Sequence, residues 1–213
     1  MDKLTLSIPT GRLKEEVLEL LARMPGWPAS CNLNTRKLVF EDECLPCRII
    51  LSHPKDSSTY VEFGAADIGI VGKDILMERE NEVYELLDLG IGKCQMIIAV
   101  PLSVSHHVFF NKDHLRIATK YPHITRQYLQ EKGITADILS LYGSIELAPT
   151  LGLADAIVDI VSTGKTLREN HLQVLESIAP VSARLVANLI SIRTRMDAIR
   201  HFVQQLKGVI RNE

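Results

Sequence analysis

Apolar residues recur along this chain in two alternating rhythms, one of period two and one of period three to four. Leu4 to Pro9 alternates as a strand, Thr10-Gly11 breaks it, and Val17, Leu18, Leu21 and Met24 then recur at helical spacing. Cys47 to Leu51 reads as a second strand and Ser57 to Phe63 as a short helix. Gly64-Ala65-Ala66-Asp67 turns the chain into the strand Ile68 to Val71, with a helix starting near Lys73 or Asp74. A long extended stretch from Leu87 to Val100, containing Gly90 and Gly92, then interrupts the alternation. After it come a strand over Arg116 to Thr119, a helix over Thr125 to Lys132, a strand over Asp137 to Leu141 and a helix from Ser144 or Ile145. The run from Ala154 to Leu167 supplies a further strand, followed by a helix near Lys165 to Asn170. Ala183 to Arg193 reads as strand, and Met196, Ile199, Val203, Leu206 and Ile210 mark a final amphipathic helix. Strand-helix alternation predicts an α/β fold with mainly parallel, mixed sheets. The two long extended stretches predict two crossings between two lobes, 1–94 plus 182–213 forming lobe I and 95–181 forming lobe II. A hinged cleft of that kind suits a small ligand.

Ala154 to Leu167 carries the densest chemistry. Ile157, Val158, Ile160 and Val161 suit a buried strand, which runs into Ser162, Thr163, Gly164, Lys165 and Thr166. Hydroxyls and closely approaching backbone N–H groups in such a loop fit an anion. Asp155 and Asp159 share one face of the strand by parity, so both carboxylates can point toward one ligand. Acids beside a phosphate loop suit a sugar phosphate. A nucleotide P-loop is the competing reading of Gly164-Lys165-Thr166, but the glycine it requires five residues earlier is Asp159. A buried strand followed by a Ser/Thr-rich turn, with the aspartates capping or solvated, is the plain alternative.

Composition narrows the setting. With 46% hydrophobic and 23% charged residues among 213, the chain reads as an ordinary globular protein. A net charge of −2 offers no electrostatic case for nucleic acid or an anionic membrane. No segment reads as a signal peptide or a membrane span, which predicts a cytoplasmic protein. Cys31, Cys44, Cys47 and Cys94 include one C-x-x-C without a second, and His106-His107 lacks ligand spacing, so reduced thiols and no structural metal are expected.

Five segments in order, Thr10-Gly11-Arg12-Leu13, Gly64 to Gly72, Ala118-Thr119-Lys120-Tyr121-Pro122, Tyr142 to Pro149 and the Ala154 to Leu167 run, resemble ATP phosphoribosyltransferase of histidine biosynthesis. The resemblance spans nearly the whole chain, which ends where long-form members continue into a regulatory domain. It therefore resembles the short form, without a C-terminal regulatory domain. The resemblance implies a periplasmic-binding-protein-like (type II) pair of lobes. It implies an enzyme that joins N1 of ATP to C1 of phosphoribosyl pyrophosphate, with pyrophosphate leaving and Mg2+ accompanying the donor. It also implies a homodimer within a hetero-oligomer that includes a histidyl-tRNA-synthetase-like regulatory subunit. On that basis Asp155, Asp159 and Glu146 are the expected ribose-holding residues and Ser162, Thr163, Gly164, Lys165 and Thr166 the 5-phosphate loop. Gly11, Arg12, Asp67, Lys93 and Tyr121 are the expected ATP contacts. The chain departs from the family at Thr10, His53, Ser57 and Ser58, losing positive charge that Lys55, Arg48 or a partner subunit could replace. A two-lobed binding module without catalysis is the alternative of another class.

Overall fold

The computed structural model describes residues 3–28, 36–43 and 45–210; Cys31 and Cys44, and with Cys44 the C-x-x-C pair, lie outside them. The chain divides into two compact units, the first comprising Met1–Leu76, Glu80–Gly92 and Ser182–Glu213 and the second Met77–Arg79 and Lys93–Val181.

In the first unit, β1 (Thr5–Pro9) leads into α1 (Arg12–Ala22). The short β2 (Val39–Phe40) precedes β3 (Arg48–Ser52), α2 (Ser57–Glu62), β4 (Ile68–Gly72), α3 (Lys73–Arg79), whose last residues Met77–Arg79 belong to the second unit, and β5 (Val83–Asp88). Later segments of this unit are β11 (Ala183–Asn188), α8 (Leu189–Thr194) and α9 (Met196–Ile210). The six strands lie in the order β2-β3-β1-β4-β11-β5. β1 runs parallel to β3 and β4, whereas β2, β11 and β5 pair antiparallel with their neighbours. Leu6, Ile8, Ile49, Ile68, Ile70 and Leu185 are fully buried in one core with Val17, Leu20 and Leu21 of α1 and Phe202 and Leu206 of α9. The helical stripe of α9 thus covers the sheet, as its spacing predicts.

In the second unit, β6 (Cys94–Pro101), α4 (His106–Phe110), β7 (Leu115–Thr119), α5 (Pro122–Lys132), β8 (Ala136–Ser140), α6 (Leu147–Thr150), β9 (Ala156–Val161), α7 (Lys165–Glu169) and β10 (Leu172–Val181) follow in order. The sheet order is β10-β6-β9-β7-β8. β7 is parallel to β8 and β9, and β6 is antiparallel to β9 and β10. The first sheet therefore has a parallel centre and antiparallel margins, and the second is parallel from β9 to its β8 edge and antiparallel on the other side, which makes both more mixed than strand-helix alternation alone implies.

Three stretches differ from their sequence readings. The extended run from Leu87 to Val100 is two strands, β5 and β6, separated by Gly90 and Gly92. Ala183 to Arg193 is strand only to Asn188, whose side-chain oxygen accepts from the N–H groups of Ile190 and Ser191 and so starts α8. β10 was not expected; register shifts at Val174/Glu176 and Ser177/Ala179 break the period-two pattern that would have marked it.

Candidate functional site

In the second unit the parallel strands β7, β8 and β9 end on one side of the sheet, where ligands of open α/β sheets bind. Register puts Thr119 level with Val158, so the next residue of each strand, Lys120 and Asp159, are neighbours. Lys120 Nζ lies 3.3 Å from Asp159 Oδ2, and Asp159 Oδ1 accepts from the Ile160 N–H at 2.9 Å. The Asp159 side chain is 11% exposed. Burial pushes its carboxyl above the ordinary aspartate value against the pull of the Lys120 ammonium and the Ile160 N–H, and the negative charge of Glu146 adds to the rise. Glu146 itself is half-buried and stands just before α6. Buried Ile145 and Ala148 fix that turn against Ile157, on the face of β9 that Asp159 shares by parity.

Past Val161 the chain enters Ser162-Thr163-Gly164. Gly164 has φ 68° and ψ 9°, a left-handed conformation that glycine adopts freely, and it starts α7. Thr163 Oγ1 accepts from the Lys165 N–H at 3.4 Å. Ser162, Thr163, Lys165 and Thr166 are exposed, while Leu167 is buried and anchors the loop to the sheet. Hydroxyls and amides thus stand open beside a buried carboxylate. Lys93, also exposed, precedes β6 at this same end of the sheet, where Gln95 is level with Val161.

Asp155 does not join them. It precedes β9 at the opposite end, four residues and roughly 13 Å of strand from Asp159, too far for one ribose ring. Its two oxygens accept from Lys112 Nζ at 2.7 Å and the Arg116 N–H at 2.9 Å. Burial alone would raise its carboxyl, but those two groups together with the Arg116 charge outweigh it and hold the group below the ordinary value. Parity along a strand says nothing of which end a residue occupies.

The first unit shows the same division. Gly11 precedes α1 beyond the C-terminal end of β1, with φ 81° and ψ −154°, a conformation open essentially only to glycine. Arg12 follows at 72% exposure, 3.7 Å from Glu16. Asp67 lies at the other end of the sheet, since Leu6 is level with Ile68 and Asp67 precedes it. It accepts from the Thr5 N–H at 2.8 Å, Ser191 Oγ at 2.7 Å and Arg195 Nη1 at 3.0 Å, a knot that ties β1, β4 and α8 together. An ATP contact shared with Gly11 and Arg12 is therefore not available to Asp67. Arg48 is also at this far end, level with Thr5 and paired with Glu41 at 2.6 Å, so it does not replace charge lost near His53. Tyr121 is buried: its N–H donates to Thr119 Oγ1 and its carbonyl accepts from Thr125, which makes it a turn and core residue. Ser57 and Ser58 are wholly buried, Ser57 in a hydroxyl cluster with Ser7 and Ser52, which gives these departures from the family a structural setting.

The residue that sequence reasoning passed over is Lys120. It stands inside the quoted segment Ala118 to Pro122, but nothing local tells that its side chain reaches a carboxylate 39 residues away.

The model of the ATP phosphoribosyltransferase family, HisG, matches residues 53–208. The ATP phosphoribosyltransferase of Geobacter metallireducens is 44% identical over 207 residues, covering 97% of this chain and 98% of that protein. The Caldanaerobacter subterraneus subsp. tengcongensis ATP phosphoribosyltransferase is 41% identical over 210 residues, covering 99% of both. Among solved structures, a chain of the ATP phosphoribosyl transferase (HisG:HisZ) complex from Thermotoga maritima superposes with a TM-score of 0.83 at 34% identity, over 99% of this chain and 100% of that one. The alkanesulfonate-binding protein SsuA from Xanthomonas axonopodis shares the fold alone, with a TM-score of 0.57 at 13% identity over 98% of this chain and 73% of its own. The architecture is thus that of a periplasmic-binding-protein-like α/β protein, and the chain belongs to the ATP phosphoribosyltransferase family.

Proposed function

We propose that this chain catalyses the first step of histidine biosynthesis, joining N1 of ATP to C1 of phosphoribosyl pyrophosphate and releasing pyrophosphate. The observation that carries the site assignment is a buried carboxylate, Asp159, set immediately before an exposed hydroxyl-rich loop at the C-terminal end of a parallel strand. As the C1–O bond breaks, its electron pair leaves with pyrophosphate and the ribose becomes cation-like. A fixed carboxylate whose burial excludes water stabilises that charge where it develops. Ser162, Thr163, Gly164, Lys165 and Thr166 hold the 5-phosphate, and Asp159 and Glu146 hold the ribose. Gly11 and Arg12 serve the nucleotide; Asp155, Asp67 and Tyr121 are structural.

Positioning two polyanions asks for orientation more than for a strong base. Mg2+ is assigned to the pyrophosphate donor, whose oxygens suit it; among the described residues no three His, Cys, Asp or Glu side chains converge on a metal position. The solved relative from Thermotoga maritima is a HisG:HisZ complex. By that likeness this chain works as a homodimer within a hetero-oligomer that includes a histidyl-tRNA-synthetase-like regulatory subunit. Among the described residues no helix is long and apolar enough to cross a membrane, and a cytoplasmic setting belongs to this proposal. The binding-module reading shares only the fold with SsuA.

The test is to incubate the chain with ATP, phosphoribosyl pyrophosphate and Mg2+, with and without the regulatory subunit, and to follow the N1-linked adduct. Asp159→Asn is expected to lower kcat/KM for the donor at least about tenfold, the range of a lost charge-assisted contact. Unchanged turnover and donor KM in that variant would overturn the site. Binding of both ligands without adduct in either condition would overturn the activity.

A further inference from the structure

The Lys120–Asp159 pair is built from both sides. Thr119 is fully buried; its hydroxyl donates to the Val158 carbonyl at 2.8 Å and accepts from the Tyr121 N–H at 2.9 Å. The Tyr121 carbonyl in turn accepts from Thr125 Oγ1 at 2.7 Å and the Thr125 N–H at 3.0 Å. At the start of α5 the Glu78 carboxylate accepts from the N–H groups of His123 and Ile124 at 3.0 to 3.1 Å. The backbone on each side of Lys120 is therefore pinned by buried or capped groups, and its side chain, 26% exposed, reaches across to Asp159. Pinning of this kind fixes the point from which the lysine reaches, and the partial burial of both partners screens the pair less than an ordinary surface pair.

The groups facing Asp159 can be named element by element. The β7–α5 turn brings Lys120, the residue after it brings the Ile160 N–H, and the turn before α6 brings Glu146. From β6 the level residue is Ile97, which brings no charge. Burial and Glu146 both favour the protonated acid, and Lys120 is the side-chain charge that opposes them.

We propose that Lys120 is a positioning residue for the transfer: its ammonium keeps the buried Asp159 carboxylate ionised and aimed at the ligand end of β9. The inference rests on the phosphoribosyl-transfer reading only in naming the ribose as what Asp159 meets. Asp159 then needs no proton loss during turnover, and the negative charge is in place before the ribose becomes cation-like. Lys120 acts through Asp159.

Two readouts on the assembled enzyme test this, with wild type, Lys120→Met and Lys120→Arg. The first is the pH dependence of kcat/KM for phosphoribosyl pyrophosphate. The second is the carboxyl titration of Asp159, followed by NMR in protein carrying 13C-labelled aspartate. Lys120→Met is expected to move the acid limb and the titration upward by at least about one pH unit, as expected on losing an opposite charge within this distance; Lys120→Arg returns both toward wild type. A raised donor KM at all pH values with neither limb nor titration displaced overturns the proposal, because it makes Lys120 a plain anion contact. If the titration moves while wild type makes no adduct, the transferase reading falls and the hold of Lys120 on Asp159 stands.

Discussion

Replacing Asp155 separates a ribose ligand from a structural tie. Asp155→Ala removes the acceptor of the Arg116 N–H at 2.9 Å and of Lys112 Nζ at 2.7 Å. The Asp155 side chain is 19% exposed and Lys112 is 49% exposed, so the two contacts differ in worth. The backbone contact is a charge-assisted hydrogen bond of about 1.5–3 kcal/mol. The lysine contact, with one partner half in water, adds about 0.2–1 kcal/mol. Together they predict a loss of about 2–4 kcal/mol, which for a chain of this size lowers Tm by roughly 4–15 °C. Scanning calorimetry reads the shift, and the adduct assay is expected to give kcat and donor KM within about twofold of wild type, since the group touches no ligand. The pH dependence follows from the lowered carboxyl. A folded value below the unfolded one means that the stabilisation is fully present above an unfolded value of about 3.9 and fades as pH falls through the folded value. The gap between wild type and Asp155→Ala is therefore expected to close in acid. A variant with unchanged Tm and turnover reduced about a hundredfold would refute this reasoning and return Asp155 to the ribose.

Asp67→Ala should cost about 3–5 kcal/mol by stranding Arg195 and the Thr5 N–H, seen as a lower denaturation midpoint, with the KM for ATP unchanged. Ser58 is fully buried and its hydroxyl finds no hydrogen-bond partner among the described residues, so Ser58→Ala is expected to raise the urea midpoint by the equivalent of about 1–3 kcal/mol. Asp159→Asn is expected to leave Tm at neutral pH unchanged or higher despite its loss of turnover. The Asp159 carboxyl is raised in the fold, so any stability it brings is complete below the unfolded value of about 3.9 and is lost as pH rises through the folded one. Tm curves of the two proteins from acid to neutral pH test this: a wild type that gains on the variant as pH rises contradicts it.

Much of the site was legible because its chemistry is local. The apolar run Ile157, Val158, Ile160 and Val161 and the hydroxyl-rich turn after it are written in one short stretch, and β9, the Gly164 turn and α7 fall within a residue or two of that reading. Where two signals overlapped, the sequence misled. The apolar run from Ala183 to Arg193 reads as one strand until Asn188 is recognised as a helix cap, a signal that was present and weaker than the hydrophobicity around it. β10 hid behind its own bulges.

The sequence by itself determined most of the strand and helix segments, and that a hydroxyl-rich loop follows β9. It did so because side-chain period and turn chemistry act over a few bonds. Only the tertiary structure decided at which end of its strand each carboxylate stands and what answers its charge. Asp155 is met by Lys112 and Arg116, Asp67 by Ser191 and Arg195, and Asp159 by Lys120, all of them partners brought close by sheet register and helix packing. A carboxylate becomes a ligand group or a tie according to the end of the strand at which it stands, and the charges that answer it lie 39 to 128 residues away in the chain.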